Sequence, residues 1–573
     1  MTIARRGRSA LLLLLAAAAA CRPPAAADRA PRQVHFAAMN DWHGALQPRP
    51  AGPGLGQPFV GGLSYLAAAV DDARAQRPGL TLLDGGDCFQ GDAAINESKG
   101  MGAIEALGLL GVKAAAVGNH EFDYGGPKGG HKRAYLEAAA KTAPYPLLSA
   151  NIEALQPDGS YAPYRPENIL GEVILDVKAA DGSPVRVGVY GLSTVTTPTT
   201  TRPDNVDDLR FGDLVEASQR SLAKLRAEGA EITVLVGHIG GACPPLEGAA
   251  HGLVAHQACL PDGEVGALLT GLGDEAPDLM VLGHSHTMLA HQQGKTALVE
   301  AASYGAALGL LSLGLGPGGV EPSANQIAPL LPIAHAAPPA RCGAAPSGAP
   351  LVVDGRALQP KAEAEALTAR LESAVEGGCA PAGCSLAGLE RHKARPSPLG
   401  QFTAAALQNS FKDADLGLQN GGGLRADLPP GPLMSVDWQQ VMPFDNKAVL
   451  IEITGAQLLG VLREGARGRH SFLQVTGASY TIDPSRPAED RICAGVMVGG
   501  QPLDPAKTYR VATSDFLASG GDHLGEVYGS PKVLAEGGLL RDIFINASAA
   551  AGPACVAPPA PTVRVGPCGA PAR

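Results

Sequence analysis

Five short blocks in the first half of this 573-residue chain carry side chains able to hold cations: Asp41-Trp42-His43-Gly44, Gly86-Asp87, Gly118-Asn119-His120-Glu121, Gly237-His238 and Gly283-His284-Ser285-His286. Imidazole, carboxylate and amide oxygen together form a borderline donor set, suited to Zn, Mn or Fe rather than to Ca, which prefers oxygen alone. Two such cations a few ångströms apart can share a carboxylate and a hydroxide, hold an attacking oxygen and stabilise charge on a transferring phosphoryl group. Asp87 is the natural bridge between them. His35, His131, His251 and His256 belong to no block and read as ordinary loop or strand histidines.

The elements that must position these blocks are short apolar runs at 34–39, 80–83, 114–117, 232–236 and 279–282, each closed by Gly or Asn. Helix-compatible segments lie between them. Such alternation predicts α/β layers, in which ligands gather beyond the carboxyl ends of the strands. Five strand ends would then converge on one rim.

A chain of this length exceeds one ordinary core, so two sizeable domains are expected. With 45% hydrophobic and 17% charged residues there is ample material to bury. The 74 glycines and 48 prolines cluster at 45–62, 337–350 and 552–572, which read as loops and a tail. A net charge of -10 and the lack of a basic stripe with interleaved aromatics argue against nucleic acid as a partner. An anionic substrate would need locally placed cations.

Arg5, Arg6 and Arg8 precede an apolar run over 10–20 and then Cys21. This reads as an export signal, too short to span a bilayer. Small residues before Cys21 suggest a lipoprotein cleavage site, with a lipidated Cys21 attaching a periplasmic or outer-membrane-anchored protein to the membrane; plain secretion is the alternative. Ten cysteines fit an oxidising compartment. Setting aside Cys21 and a buried Cys88 leaves eight, enough for four disulfides, with Cys243–Cys259, Cys379–Cys384 and Cys555–Cys568 as short-range candidates. No C-x-x-C pair suggests structural zinc.

Two other motifs fail. Gly294-Lys295-Thr296 lacks the upstream glycine of a phosphate-binding loop, Leu289 standing there instead, and no Gly-x-Ser-x-Gly elbow occurs.

In their order and flanks the five blocks resemble the calcineurin-like metallophosphoesterases, and within that superfamily the 5′-nucleotidase family, over roughly 32–545. Leu147-Leu148-Ser149-Ala150-Asn151-Ile152 and Gly191-Leu192-Ser193-Thr194 resemble the family's intervening strand segments. The resemblance implies a four-layer α/β/β/α catalytic domain over 30–335 and an α/β nucleotide-binding domain over 378–550. A linker over 336–377, whose 360–376 stretch has helix composition, would connect them, and a Pro/Ala/Gly-rich tail would occupy 551–573. One metal would take Asp41, His43, Asp87 and His286, and the second Asp87, Asn119, His238 and His284. Asp123 stands three residues beyond His120 and could fix its tautomer and raise its basicity. The resemblance gives this pair a catalytic role near the phosphoryl group, either protonating the departing oxygen or donating a hydrogen bond to the transition state.

Three later blocks resemble the family's substrate-binding domain: Asn420-Gly421-Gly422-Gly423-Leu424-Arg425, Pro443-Phe444-Asp445-Asn446, and Phe516 leading to Gly520-Gly521-Asp522. The glycines let backbone approach a ligand closely, and Arg425 offers a planar donor fork to phosphate. Phe444 and Phe516 would clamp a base, a contact worth roughly 1–3 kcal/mol. Asp522 and Asn446 could hydrogen-bond base or ribose, and Gly477 sits in a segment resembling another base contact. Arg391 and Arg395 stand at a shifted spacing from the family's paired arginines, and His523-Leu524 replaces the usual aromatic. The implied function is removal of phosphate from nucleoside 5′-monophosphates, extending to diphosphates or UDP-sugars. The alternatives are a sulfur-oxidation thiosulfohydrolase of the same superfamily and a non-catalytic surface binding lipoprotein.

Overall fold

The computed structural model describes residues 31–568 except 52–56, 128, 242, 244–258, 340–341, 343–347, 469–470, 558–559 and 561. The export signal, Cys21, His251 and His256 therefore lie outside the described residues. Among those described, no helix is long and apolar enough to cross a membrane.

The first domain is built from two packed sheets. In one, the strands Arg32–Met39, Thr81–Asp84, Val112–Ala116 and Leu147–Leu148 run parallel, with Ala307–Gly316 antiparallel at the side of the first. In the other, Pro184–Ser193, Ile232–His238, Leu279–Leu282 and Thr296–Ala301 run parallel between the antiparallel edges Glu172–Lys178 and Met288–Gln293. Side-chain alternation explains the layering. Val34, Phe36 and Ala38 face Val187, Val189, Val234 and Val236 across the sandwich. Ala37 and Met39 turn the other way, toward the helices Leu63–Gln76 and Met101–Leu110. Leu235 and Met280 likewise meet the helices Leu214–Ala227 and Glu264–Leu272. The result is four layers, α/β/β/α. Strands covered on both faces read as continuous apolar runs, which is why they were visible in the sequence. The five strands that lead into the candidate ligand blocks do not share one sheet, however: three belong to the first and two to the second, and their ends reach a common rim because the sheets are stacked.

In the second domain a five-stranded sheet runs in the order Leu473–Thr476, Leu416–Asn420, Thr508–Ser514, Lys447–Thr454, Lys532–Leu539. The helix Gly455–Arg467 covers one face, and Pro398–Ser410 and Leu540–Ala550 the other. Ser397 caps the helix that begins at Pro398 by accepting from the Gly400 N–H at 3.0 Å, a start suited to a proline with no N–H to offer.

Three sequence-based expectations change. The connector helix expected in the linker over 336–377 lies at Ala362–Glu372 and buries Ala364, Leu367 and Leu371 in the first domain's core, so it packs as part of that domain. The tail is not free of structure: Val563–Val565 pairs in parallel with the strand Ala478–Ile482. Of the candidate disulfides Cys243–Cys259 forms, but the others are Cys342–Cys379, Cys384–Cys555 and Cys493–Cys568. Tertiary pairing overrides chain proximity here, because the Val556 N–H donates to the Cys384 carbonyl at 2.8 Å and so brings Cys555 alongside. Cys88 is a buried free thiol.

Candidate metal centre

The ligand loops knit together through backbone before any side chain acts. The N–H groups of Asp41, His43 and Gly44 donate to the carbonyls of Gly86, Asp87 and Cys88 at 2.8, 3.0 and 3.1 Å, and the Tyr304 N–H to the Asp41 carbonyl at 2.7 Å. This lattice holds conformations that L-residues avoid. Asp41, His43, Asp87, His284 and His286 have φ between 47° and 76°, a left-handed setting costing of order 1 kcal/mol apiece. The reward is that all five side chains turn inward.

They meet as two overlapping groups. His286 Nε2 lies 3.2 Å from both Asp41 Oδ1 and His43 Nε2. His238 Nε2 lies 3.0 Å from Asp87 Oδ2 and 3.2 Å from Asn119 Oδ1, and His284 Nδ1 is 3.1 Å from the same Asn119 oxygen. Asp87 Oδ2 is also 4.0 Å from His43 Nε2, so this one carboxylate touches both groups. Outer partners aim the donor atoms. His43 Nδ1 donates to the Gln90 carbonyl and His238 Nδ1 to the Gly85 carbonyl, each at 3.0 Å, while Asn119 Nδ2 donates to the Thr200 carbonyl at 3.1 Å. His43 Nε2, His238 Nε2 and the Asn119 amide oxygen thereby face the cluster.

The electrostatics hold the Asp41 and Asp87 carboxyls below their usual range and shift His43, His284 and His286 toward the neutral form. Burial opposes ionisation of Asp87, but the neighbouring imidazoles, His238 foremost, outweigh it and hold the carboxyl well below its usual range. Burial also opposes charge on His238, yet Asp87 wins and pushes it up to about 10. His284, desolvated and beside His238, drops to about 3. Buried carboxylates crowded by imidazoles that are fixed by tautomer form a donor set that fits two borderline divalent cations.

His120 Nδ1 lies 2.6 Å from Asp123 Oδ2, and Asp123 Oδ1 accepts from the Thr201 hydroxyl at 2.7 Å. Although burial disfavours its charged form, Asp123 and Asp87 raise the His120 pKa.

A cavity of about 740 Å³ between the domains joins these groups to the second-domain blocks. Asp87, Asn119, His120, His284 and His286 line it from one side, and Arg425, Phe444, Asn446, Phe516 and Asp522 from the other. Arg425 Nη2 reaches within 3.2 Å of His43 Nε2, and the Phe444 and His120 rings are 5.8 Å apart. Asp522 Oδ2 accepts from Asn420 Nδ2 and the Ser471 hydroxyl, both at 3.0 Å. Gly477 stays off the cavity wall. It makes a left-handed turn (φ 79°) where a Cβ would fall 2.2 Å from the Asp415 carbonyl oxygen, so its glycine serves the turn. Arg391 donates to the Leu424 carbonyl at 2.9 Å and Arg395 lies by His392; of this stretch it is Lys393, between them, that lines the cavity.

Sequence reasoning missed several supports. Asn40 Nδ2 donates to Asp41 Oδ2 at 2.7 Å. Glu300, whose pKa burial and then Asp41 push up to about 8, accepts from the Ser285 hydroxyl at 2.8 Å and the Thr287 N–H at 3.0 Å, on either side of His286. The Tyr304 ring packs 5.3 Å from His43 and 5.8 Å from His286, with the Arg49 guanidinium 3.9 Å over it. Asn40 adjoins a block and was within reach of inspection; Glu300, Tyr304 and Arg49 carry no local signal.

Residues 34–288 match the model of the calcineurin-like phosphoesterases, and residues 378–528 that of the 5′-nucleotidase C-terminal domain. The chain is 25% identical over 543 residues to the cell wall protein Lmo0130 of Listeria monocytogenes, covering 87% of this chain and 64% of that protein, so it spans less than two thirds of that relative. It is 26% identical over 534 residues to the 5′-nucleotidase of Diplobatis ommata, covering 86% of this chain and 83% of the relative. A solved 5′-nucleotidase precursor from Thermus thermophilus shares the fold, with a TM-score of 0.72 and 24% identity over 94% of this chain and 100% of that one.

Proposed function

The chain belongs to the 5′-nucleotidase family of calcineurin-like phosphoesterases, and from that premise we propose that it is an exported dimetal phosphohydrolase acting on nucleoside 5′-monophosphates, with nucleotide diphosphates and UDP-sugars as related substrates. The observation that carries this reading is a cavity that has the candidate metal cluster on one wall and two half-buried phenylalanines on the other. A site for simple phosphate esters has no use for such aromatic surface.

Asp41, His43, Asp87 and His286 would hold one divalent cation, and Asp87, Asn119, His238 and His284 the other. When bound, the two ions neutralise phosphoryl oxygens and supply an activated water for in-line attack. The remaining work falls to side chains. Arg425 clamps phosphate, Phe444 and Phe516 stack the base, and Asp522 and Asn446 take polar groups of the nucleoside. With Nδ1 engaged by Asp123, His120 has Nε2 left to give a proton or hydrogen bond to the ester oxygen. Four disulfides suit an oxidising compartment outside the cytoplasm.

The decisive experiment compares AMP with p-nitrophenyl phosphate, in wild type and Phe444→Ala, after reconstitution with Mn or Zn. Losing a stacked base should cost AMP about 5- to 150-fold in kcat/KM, the equivalent of roughly 1–3 kcal/mol, and cost the aryl ester far less. Equal losses on both substrates would remove the nucleotide reading. Turnover that survives exhaustive chelation would remove the metal.

A further inference from the structure

Glu121 is 1% exposed and follows His120 directly, yet it is absent from both groups of converging ligand atoms. Its carboxylate points away from the cluster into backbone. Oε2 accepts from the Gly118 N–H at 2.6 Å and the Asp87 N–H at 3.0 Å, and Oε1 from the Cys88 N–H at 2.8 Å and the Phe89 N–H at 3.1 Å. Three of those donors lie on the loop after the strand Thr81–Asp84 and the fourth on the loop after Val112–Ala116. No Lys or Arg among the described residues pairs with Glu121; four N–H dipoles face its carboxylate, with the His238 imidazole nearby. Gly118 permits the approach: a Cβ there would fall 2.1 Å from Asp87 Oδ1 and 2.8 Å from Glu121 Oε2.

We propose that Glu121 is a positioning residue of the metal centre, whose four-acceptor carboxylate sets the loop of Asp87 against the loop of Asn119 and His120. The inference rests on the dimetal reading given above. The bridging role of Asp87 depends on where its main chain sits, and Glu121 grips that main chain by its own N–H and those of the next two residues. His120 closes the arrangement from the other side, its N–H donating to Asp87 Oδ1 at 2.9 Å. One side chain thus governs the mutual register of a shared ligand, a second ligand and the catalytic histidine, without touching cation or substrate.

The donor and acceptor inventory makes the idea sharp. A carboxylate accepts on both oxygens, whereas the amide of Gln turns an NH₂ toward backbone N–H groups and leaves them unpaired. Glu121→Gln, nearly identical in shape, should therefore fail; Glu121→Asp keeps the acceptor chemistry but retreats by one methylene and should fall between.

The test uses the full chain and Mn²⁺ as probe. Equilibrium dialysis gives Mn²⁺ affinity, electron paramagnetic resonance reports exchange coupling between paired ions, and kcat and KM are measured on AMP. Expected for Glu121→Gln are Mn²⁺ binding and kcat each about 10- to 100-fold weaker, loss of the coupled spectrum, and little change in KM. A folded Gln variant with wild-type Mn²⁺ affinity and coupling overturns the proposal, as does one that only melts earlier. Should neither variant fold, hydrogen exchange on wild type decides: amides of 87–89 and 118 should be protected like the strand Ile232–His238, and exchange as fast as at the exposed turn 180–183 overturns it. A wild type that binds no Mn²⁺ pair overturns the dimetal reading itself, and this inference with it.

Discussion

Asn96 Nδ2 donates to the Pro443 carbonyl at 2.6 Å, one residue ahead of Phe444. Asn96 Oδ1 accepts from the Tyr124 hydroxyl at 2.8 Å and the Gly91 N–H at 3.2 Å, and the Tyr124 oxygen accepts from the Gln90 N–H at 2.8 Å. Since the Gln90 carbonyl holds His43, one hydrogen-bonded path joins the metal cluster to the aromatic wall across the domain boundary. Lys99 with Asp445 and Arg202 with Asp515, both at 3.3 Å, bridge the same boundary.

Breaking that path should register as weaker nucleotide recognition. Asn96→Ala removes a neutral hydrogen bond between domains, worth about 1 kcal/mol or about five-fold. Steady-state kinetics should show this loss in kcat/KM on AMP, with a smaller change on p-nitrophenyl phosphate. An equal change on both would mean that Asn96 serves the metal loop and not the domain junction.

Asp123→Asn should lower kcat about 10- to 100-fold with KM nearly unchanged. The amide can present a donor to His120 Nδ1, and the tautomer that the carboxylate enforces is lost. Single-turnover rates on AMP check this, and unaltered rates would leave the His120–Asp123 pair a structural one.

Glu372 offers a stability test away from the cluster. Burial, with Asp92 adding, pushes its carboxyl up to about 7 from an ordinary 4.5, against the hydrogen bond that Gln47 donates at 2.9 Å. The sign follows: the folded state keeps a proton that the unfolded chain releases. This contribution is complete below about 4.5 and is lost as pH rises through about 7. Glu372→Gln should therefore raise Tm relative to wild type at pH 8, by about 2 °C or more, and less at pH 5. Parallel Tm curves would contradict it.

Replacing Cys384 and Cys555 together by Ala opens a bridge spanning 171 positions. A loss of roughly 2–5 kcal/mol is expected, read as a lower midpoint of denaturant unfolding in the second domain. An unshifted midpoint would mean that strand pairing alone holds the tail.

The side chains that converge in the candidate metal centre were legible because the information is local: each is a ligand-type residue in the turn that closes an apolar strand. Layering followed from runs such as Val234 to Val236, which are covered on both faces. What stayed hidden depends on where distant segments land. Glu121 stood inside a block, but the N–H donors of Asp87, Cys88 and Phe89 come from more than thirty positions earlier. Gly477 looked like a ligand contact because a turn glycine has the same sequence in either role. Composition located the helix over Ala362–Glu372 without revealing that Leu367 and Leu371 belong to the first domain's core. Pro, Ala and Gly at the far end argued for an unstructured tail, and only the cysteines there hinted that it folds back.

The bonds from Cys384 to Cys555 and from Cys493 to Cys568 also set an order of events in biogenesis. Half of each bond is supplied by the last stretch of the second domain, so that unit stays unsealed until Cys555 and Cys568 have been made. Covalent closure is consequently a late step in the maturation of that domain, and its timing depends on the oxidant that meets Cys555 and Cys568.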